Sequence, residues 1–544
     1  IGRCGLLGDN PKTRRELPSP AAHEEVAREA AASAMVLLRN ERQVLPVPAG
    51  GSIAIIGALA DYPAIQGSGS SQVTPRRIST PLEGLQAALG DTTSIVYERG
   101  CDPEPHPPII DGRLLSPAPG SNEQGLLARY FTDPDCQGEL CAEGLEWHFA
   151  KLGFGATAQN DEGGFSVEWS GFFTPKVSGL HEWLLTHSGP DAELILGDEV
   201  LVGADTPRGV EMLFEMQPLH RRKAVVELDA GKPYPIRIRY GQPDGIKGFN
   251  VFNVCLRQPE PDREAALAAA READRAIVFV GSGTTSETEG KDRASMTLSG
   301  AQNRLVSDIA ALNDNTIVVV NTGGPVEMPW ADEVAAILQL WLPGQEGGHA
   351  LADVVTGRVN PSGKLPISFP RRYADNPSYL HYPGGEDADY GEGLFVGYRY
   401  YDSANVEPLF PFGHGLSYTE FRYDALRVPS TARAGDTVTV AVQVTNAGPV
   451  AGAEVVQLFV ENLACPETRP LQELRDFRKV HLDPGKSATI TFDLDSRCFA
   501  WWDRHRGNWT VTPGDYRICA GGSSRDLPVS AEVNLQSSSG NSED

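Results

Sequence analysis

The stretch AIVFVGSGTTSETEGKDRASMTL, Ala276 to Leu298, decides how this chain is read. Ala276–Gly281 is a short apolar run of strand type. A polar loop rich in Gly, Ser and Thr follows, carrying two glutamates, Glu287 and Glu289. It closes with Gly290, Lys291, Asp292 and Arg293. Open α/β sheets keep their ligands on loops beyond the C-terminal ends of the strands. This loop, with Glu289 at its centre, is the expected seat of the chemistry.

Strand and helix alternate on both sides of it. Asp262–Arg275 upstream is an Ala-rich helix with an Asp cap. Downstream come a helix over Ser299–Leu312, a buried strand at Thr316–Val320 (TIVVV) and another strand at Ala335–Leu340. Pro343–Gly348 then leads into a helix through Val355. Near the start, Ser19-Pro20 caps a helix predicted over Ala21–Arg39, with Val26, Ala30, Ala34, Leu37 and Leu38 as its apolar stripe. Ile53–Ile56, a helix from Thr80 to Leu89, and Ser94–Tyr97 complete a βαβ unit. The alternation implies a parallel sheet covered on both faces. Gly67-Ser68-Gly69-Ser70-Ser71 fits neither phosphate fingerprint: there is no GxxxxGK[ST], and the third Gly of GxGxxG is missing.

Two stretches break the pattern. From about Ser121 to Leu256, short alternating runs replace helical periodicity: Phe165–Trp169, Glu182–Thr186, Leu194–Leu196, Val200–Val202, Ala224–Leu228 and Ile236–Tyr240. This reads as a β domain inserted through a surface loop of the α/β domain. Pro370–Tyr418 is loop-like and long enough to be packed and functional, or to bridge domains. Tyr418–Val533 then reads as a second β-sandwich of about seven strands, with Val438, Val440, Val442 and Val444 on one face. The fold class is thus multidomain α/β plus all-β: a parallel-sheet α/β/α sandwich, an inserted β-sandwich, and a C-terminal β-sandwich.

A chain of 544 residues is long enough for several such cores. Its net charge of −25 argues against nucleic acid or an anionic membrane as partner, and no apolar run approaches a membrane span. Eight scattered cysteines do not make a disulfide framework; Cys136 and Cys141 are close enough to bridge or to flank a hairpin, but free or packed thiols are the expectation. No CxxC or HExxH signals a metal, and no cofactor is implied. The chain opens at Ile1 without a signal-peptide pattern, so a piece of a longer or processed protein is expected.

Several motifs together resemble the family 3 glycoside hydrolases, of the β-glucosidase type with a PA14 insert. They include VAREAAASAMVLLRNERQVLPV (Val26–Val47), GSGSSQVTP (Gly67–Pro75) and ISTPLEGL (Ile78–Leu85). The most specific is WLPGQEGGHALADVVTGRVNPSGKLPISFP (Trp341–Pro370). YGEGLFVGYRYYD (Tyr390–Asp402) and PLFPFGHGLSYTEF (Pro408–Phe421) are similar to the family's linker into a fibronectin type III-like domain. GLLARYF (Gly125–Phe131), FSVEWSGFFTPKVSGLHEW (Phe165–Trp183) and GKPYPIRIRY (Gly231–Tyr240) resemble PA14. The resemblance implies this division: 1–45 a barrel exit and first helix, 46–118 and 259–372 the two parts of the α/β sandwich, 119–258 the PA14-like insert, 373–417 a linker, 418–535 the fibronectin type III-like domain, and 536–544 a tail. It also implies a (β/α)8 barrel carrying a nucleophilic aspartate in an SDW-like motif. That motif is absent here, and RCGLLGD (Arg3–Asp9) looks like a barrel exit. The barrel is expected as a partner in cis or trans.

Retaining glycoside hydrolysis uses one carboxylate as nucleophile and another as acid/base. The resemblance places the acid/base at Glu289, just before Gly in the SEGxDR-like loop; Glu287 is the rival, two positions away. A solvated carboxylate is the ordinary fate of either. Asp292 and Arg293 are expected to orient the loop as a pair, or to be a surface ion pair of little consequence. Ser70 sits where a family serine contacts the sugar, though a turn serine bonding its own backbone is equally compatible. Trp169, Phe172 and Phe173 have the spacing of core residues more than of a sugar platform. The Asn508-Trp509-Thr510 sequon carries no weight without a secretory context. The expected function is the acid/base-bearing C-terminal portion of a β-glycosidase acting on β-glucosides or other β-glycosides, inactive without the barrel; a homo-oligomer is compatible with it. Two other classes stay open: a non-catalytic carbohydrate-binding scaffold, and a nucleotide-binding protein resting on Gly281-Ser282-Gly283.

Overall fold

Alternation within apolar runs builds the central sheet. Ile53, Ile55, Ile277, Phe279, Ile317 and Val319 share one buried face. Ala54, Ile56, Ala276, Val278, Val318 and Val320 share the other. A strand with both faces covered has no polar side, which is why these runs read as unbroken Val and Ile. The computed structural model describes residues 19–537, apart from 104–106, 153–163, 190, 214–216, 243–249, 284–285, 290–291, 299, 383, 385, 388, 464 and 466. In chain order the sheet strands are β1 (Val36–Asn40), β2 (Ser52–Ile56), β3 (Ser94–Glu98), β4 (Arg275–Gly281), β5 (Thr316–Asn321) and β6 (Ala336–Gln339). Their spatial order is β1-β6-β5-β4-β2-β3. Helices α1 (Pro20–Ala34), α2 (Pro81–Leu89) and α5 (Gly347–Val355) contribute to the first core; α3 (Arg263–Glu272) and α4 (Gln302–Ala310) contribute to the second.

The first helix departs from expectation. It ends at Ala34, and Val36–Asn40 pairs antiparallel with Ala336–Gln339, so the sheet is mixed rather than all parallel. Leu37 and Leu38 belong to this edge strand and face opposite cores. Val26, Ala30 and Ala34 are exposed, and Ala31 and Ala32 make the buried contact instead. The run Met35-Val36-Leu37-Leu38 is apolar at every position, so its period does not separate helix from strand; the open edge of β6 decides. The caps agree with the sequence: Ser19 accepts from Ala22 N–H, Asp262 from Ala265 N–H, and Thr80 and Glu83 form a reciprocal capping box.

The described residues between Leu115 and Arg257 form two facing sheets around one core that buries Trp169, Trp183 and Phe173. Trp169 and Phe173 are therefore core side chains. Each run named from the sequence lies in a strand here, and every one of these strands is longer than the run, as with Phe165–Phe173 and Gln217–Leu228. Leu126–Phe131, Leu140–Glu146, Arg208–Leu213 and Val251–Arg257 are additional strands. Pairing begins before residue 119, because Leu115–Ser116 aligns with Phe172–Phe173. Beyond Phe421 a three-stranded and a five-stranded sheet enclose a Val-rich core. Lys364 of the α/β part meets the buried Glu454 of this unit at 3.2 Å. The seven cysteines among the described residues are thiols, not disulfides.

Candidate active site

The loops that leave β2, β4, β5 and β6 gather at one end of the sheet. Asn321, fully buried at the end of β5, ties three of them: it bonds both the N–H and the carbonyl of Ala64 and donates to Trp341 O at 2.6 Å. Gln302 of α4 clamps the end of β4, accepting from Gly281 N–H and donating to Gly281 O. Ser282 N–H is spent on Asn321 O at 3.2 Å, which removes a donor that a phosphate-cradling Gly281–Gly283 loop would need.

The glutamate loop is then stitched to the glycine-rich loop after β2. Ser68 pairs with Thr288 in a parallel bridge, and Ser68 N–H donates to Glu287 O at 2.8 Å. Gly69 has φ +80°, and a Cβ there would stand 3.0 Å from the Glu289 Cβ. Glycine is needed at this position both for the turn and for the approach.

The two glutamates receive different surroundings. Glu287 is largely buried: its Oε1 accepts from Gly323 N–H at 3.1 Å and lies 3.8 Å from Arg293 Nη1. Glu289 is exposed. Arg293 also donates to Pro325 O at 3.0 Å. The expected Asp292–Arg293 pair gives way to two separate ties, since Asp292 accepts the Tyr382 hydroxyl and thereby raises that phenol's pKa. The switch follows from what each group meets: Arg293 faces a buried carboxylate, and Asp292 meets the 373–417 segment. Thr297, near the loop's end, is held to Glu327 by a parallel bridge and a 3.1 Å hydrogen bond. Gly290, Lys291 and the Ser70 side chain lie outside the described residues.

Two hollows meet at Glu289. One is an open polar cup of about 540 Å³ bordered by Ser68, Ser71, Glu287, Asp292 and Arg293. The other is a crevice of about 650 Å³ between the α/β part and the inserted sheets, with Tyr62, Ile65, Ile78, Ile109, Trp147 and Leu219 among its walls. His148 of the insert meets Gln72 of the glycine-rich loop at 2.8 Å across this crevice. Burial, followed by the nearby Lys151, lowers the His148 pKa to about 4, so the ring is neutral near pH 7.

A charged hub holds the insert in place. Arg113 reaches Asp111 at 2.6 Å and Asp61 at 3.0 Å, and Lys176 of the insert reaches Asp61 at 2.8 Å. Burial would raise the Asp61 pKa, but Arg113 and Lys176 outweigh it and the net shift is downward. Neither this hub nor His148 is marked in the sequence: Asp61, Arg113 and Lys176 are far apart in the chain, and nothing in the pattern around them pairs them.

Residues 35–418 match the glycosyl hydrolase family 3 C-terminal domain, and residues 454–524 match the fibronectin type III-like domain. Among curated relatives, β-glucosidase B of Emericella nidulans is 36% identical over 552 residues, covering 94% of this chain and 63% of its own length. A β-glucosidase of Rhizobium radiobacter is 34% identical, covering 98% and 65% respectively. The crystal structure of the Kluyveromyces marxianus β-glucosidase in complex with glucose superposes with a TM-score of 0.85 at 29% identity, over 98% of this chain and 64% of that one. The chain thus spans just under two thirds of the length of these relatives.

Proposed function

The chain belongs to glycosyl hydrolase family 3, whose C-terminal domain it carries, and on that premise we propose that it is the acid/base-bearing portion of a retaining β-glucosidase. Glu289 is the acid/base in this reading. It protonates the glycosidic oxygen as the leaving group departs, then takes a proton from the water that attacks the glycosyl intermediate. The nucleophile is an aspartate on a (β/α)8 barrel, in cis or trans, placed about 5–5.5 Å from Glu289 as retention requires. The inserted sheets are a PA14-like unit roofing the leaving-group side, and Ser70 contributes to the sugar pocket.

One observation carries the choice of glutamate. Glu287 is largely buried beside the Gly323 N–H and Arg293, and Glu289 is exposed to the solvent where cup and crevice meet. A group that must hand over a proton needs access to the reacting oxygen; a group that fixes a loop does not.

The test is made in the barrel-complete enzyme, beside the 544-residue chain. Glu289→Ala is expected to lower kcat/KM on cellobiose by about 10²–10⁴-fold, to spare 2,4-dinitrophenyl glucoside more, and to be rescued by azide at the second step. The chain alone, checked by mass for barrel contaminants, is expected not to turn over either substrate, since an acid without its nucleophile loses most of the catalysis. Turnover by the chain alone, or azide rescue in Glu287→Ala and not in Glu289→Ala, would overturn the reading. Were the chain a non-catalytic scaffold, Glu289→Ala would leave every rate unchanged.

A further inference from the structure

We propose that the crevice beneath the insert is the leaving-group site and that it takes a neutral, apolar, multi-ring aglycone in preference to a second sugar. This rests on Glu289 being the acid. The group attached to the protonated oxygen must lie against the acid, and the crevice is the more enclosed of the two hollows that reach Glu289. The polar cup, with its carboxylates and serines, suits the hydroxyls of the sugar. The crevice walls suit something else.

Three features set the class of aglycone. The first is size: a cavity of about 150 Å³ accepts benzene, and this one measures about 650 Å³. A single aromatic ring would leave most of it empty. The second is lining. Ile65, Ile78, Ile109, Trp147 and Leu219 present hydrocarbon, and burying apolar surface against it is favourable by about 25 cal/mol per Å². A sugar would bring hydroxyls, each costing about 1–3 kcal/mol if left without a partner. Among the neutral polar side chains on the wall, Gln72 and His148 are bonded to each other, Gln66 is bonded to the Val73 backbone, and the Tyr62 hydroxyl donates to Ile109 O. The third is charge. Asp61, Asp111 and Arg113 are engaged in the hub, and Lys151 is paired with Glu146 at 3.0 Å. An ionic aglycone would find its counter-charges taken, and desolvating it would be uncompensated.

Two measurements test this. In the first, the 544-residue chain is titrated by calorimetry with naringenin, a neutral flavonoid, and separately with cellobiose. Naringenin is expected to bind at least tenfold more tightly than cellobiose, and Trp147→Ala or Leu219→Asn to weaken it about tenfold, as small changes in an apolar pocket do. In the second, the barrel-complete enzyme is assayed on naringenin 7-O-β-glucoside and on cellobiose. The ratio of their kcat/KM values is expected to fall about tenfold in each variant. Cellobiose binding as tightly as naringenin, or a ratio unmoved in both variants, would overturn the proposal. Failure of the acid/base reading registers elsewhere, as a Glu289→Ala enzyme with no dependence on leaving group, and leaves the binding titration intact.

Discussion

The cup and the crevice lie on either side of one carboxylate and are held together in opposite ways. The ties that fix the glutamate loop in the cup come mainly from the strand ends of one sheet: the Ser68–Thr288 bridge, Gly323 N–H on Glu287, and Asn321 joining the loops after β2 and β6. The crevice is a seam between two separately cored units. It is closed by the Gln72–His148 contact and by the hub of Asp61, Asp111, Arg113 and Lys176. Chemistry demands a carboxylate fixed to within a fraction of an ångström, and a single sheet supplies that rigidity. Leaving-group choice tolerates a wall that is carried on another unit and altered independently.

Apart from loss of Glu289 itself, the largest effect should come from breaking the cup. Glu287→Ala strips Gly323 N–H and Arg293 of a largely buried acceptor, and an unsatisfied group of that kind costs about 1–3 kcal/mol. Expressed as loop misplacement, kcat/KM of the barrel-complete enzyme should fall roughly 10–100-fold. The fall should be equal on cellobiose and on 2,4-dinitrophenyl glucoside, with no azide rescue. A loss that grows with leaving-group pKa would move the acid to Glu287 and erase the distinction between the two glutamates.

Breaking the crevice should cost less and act on preference. Arg113→Met leaves Asp61 and Asp111 facing each other with Lys176 as the remaining cation at Asp61. Removing one member of a fully buried ion pair costs about 3–5 kcal/mol. These side chains keep some solvent contact, so about 1–2 kcal/mol is expected. Hydrogen exchange should quicken in Leu115–Ser116 and Phe165–Phe173 while β4 and β5 stay protected. The hub also has a pH signature. Asp61 has a lowered folded pKa, so its contribution is present above the unfolded carboxylate value and is lost as pH falls through the folded one. Uniform exchange across the insert and the central sheet would show that the seam is no weaker than the sheet.

What could be read in the sequence divides along the same line. The sheet strands were legible because burial on both faces leaves TIVVV and IAII unbroken. The end of α1 was not, since an all-apolar run has no period to read and an edge contact made about 300 residues away settles it. Leu140–Glu146, an exposed edge strand of the insert, lacks the alternation that betrays Val438–Asn446. Glu287 and Glu289 were both visible as loop carboxylates near a strand end. Telling them apart needs a backbone N–H at Gly323, which no side-chain pattern encodes. The Asp292–Arg293 pairing failed for the same reason: adjacency in sequence said nothing of Glu287 and Tyr382 as competing partners.

The smallest predicted effect sits at the histidine contact across the seam. His148 bonds Gln72 from the opposite wall, with Trp147 edge-on at 5.9 Å and Lys151 the nearby cation. Its pKa in the folded protein is lowered to about 4, against about 6.5 for an unperturbed histidine. A base with a depressed folded pKa binds fewer protons folded than unfolded. Its neutral form is therefore favoured above pH 6.5, and stability is lost as pH falls from there towards 4. By pH 5.5 the loss should be about 1 kcal/mol, a few degrees in the unfolding midpoint of the insert. His148→Gln keeps a side-chain amide facing Gln72 and removes the proton, so its midpoint should vary less between pH 7 and 5.5 than the parent's. The comparison has to be the slope, not the midpoint itself, because the substitution also changes packing against Trp147. Equal slopes would mean that the ring charges without opening the seam. The crevice would then be as firmly built as the cup, and the contrast between them would rest on the hub alone.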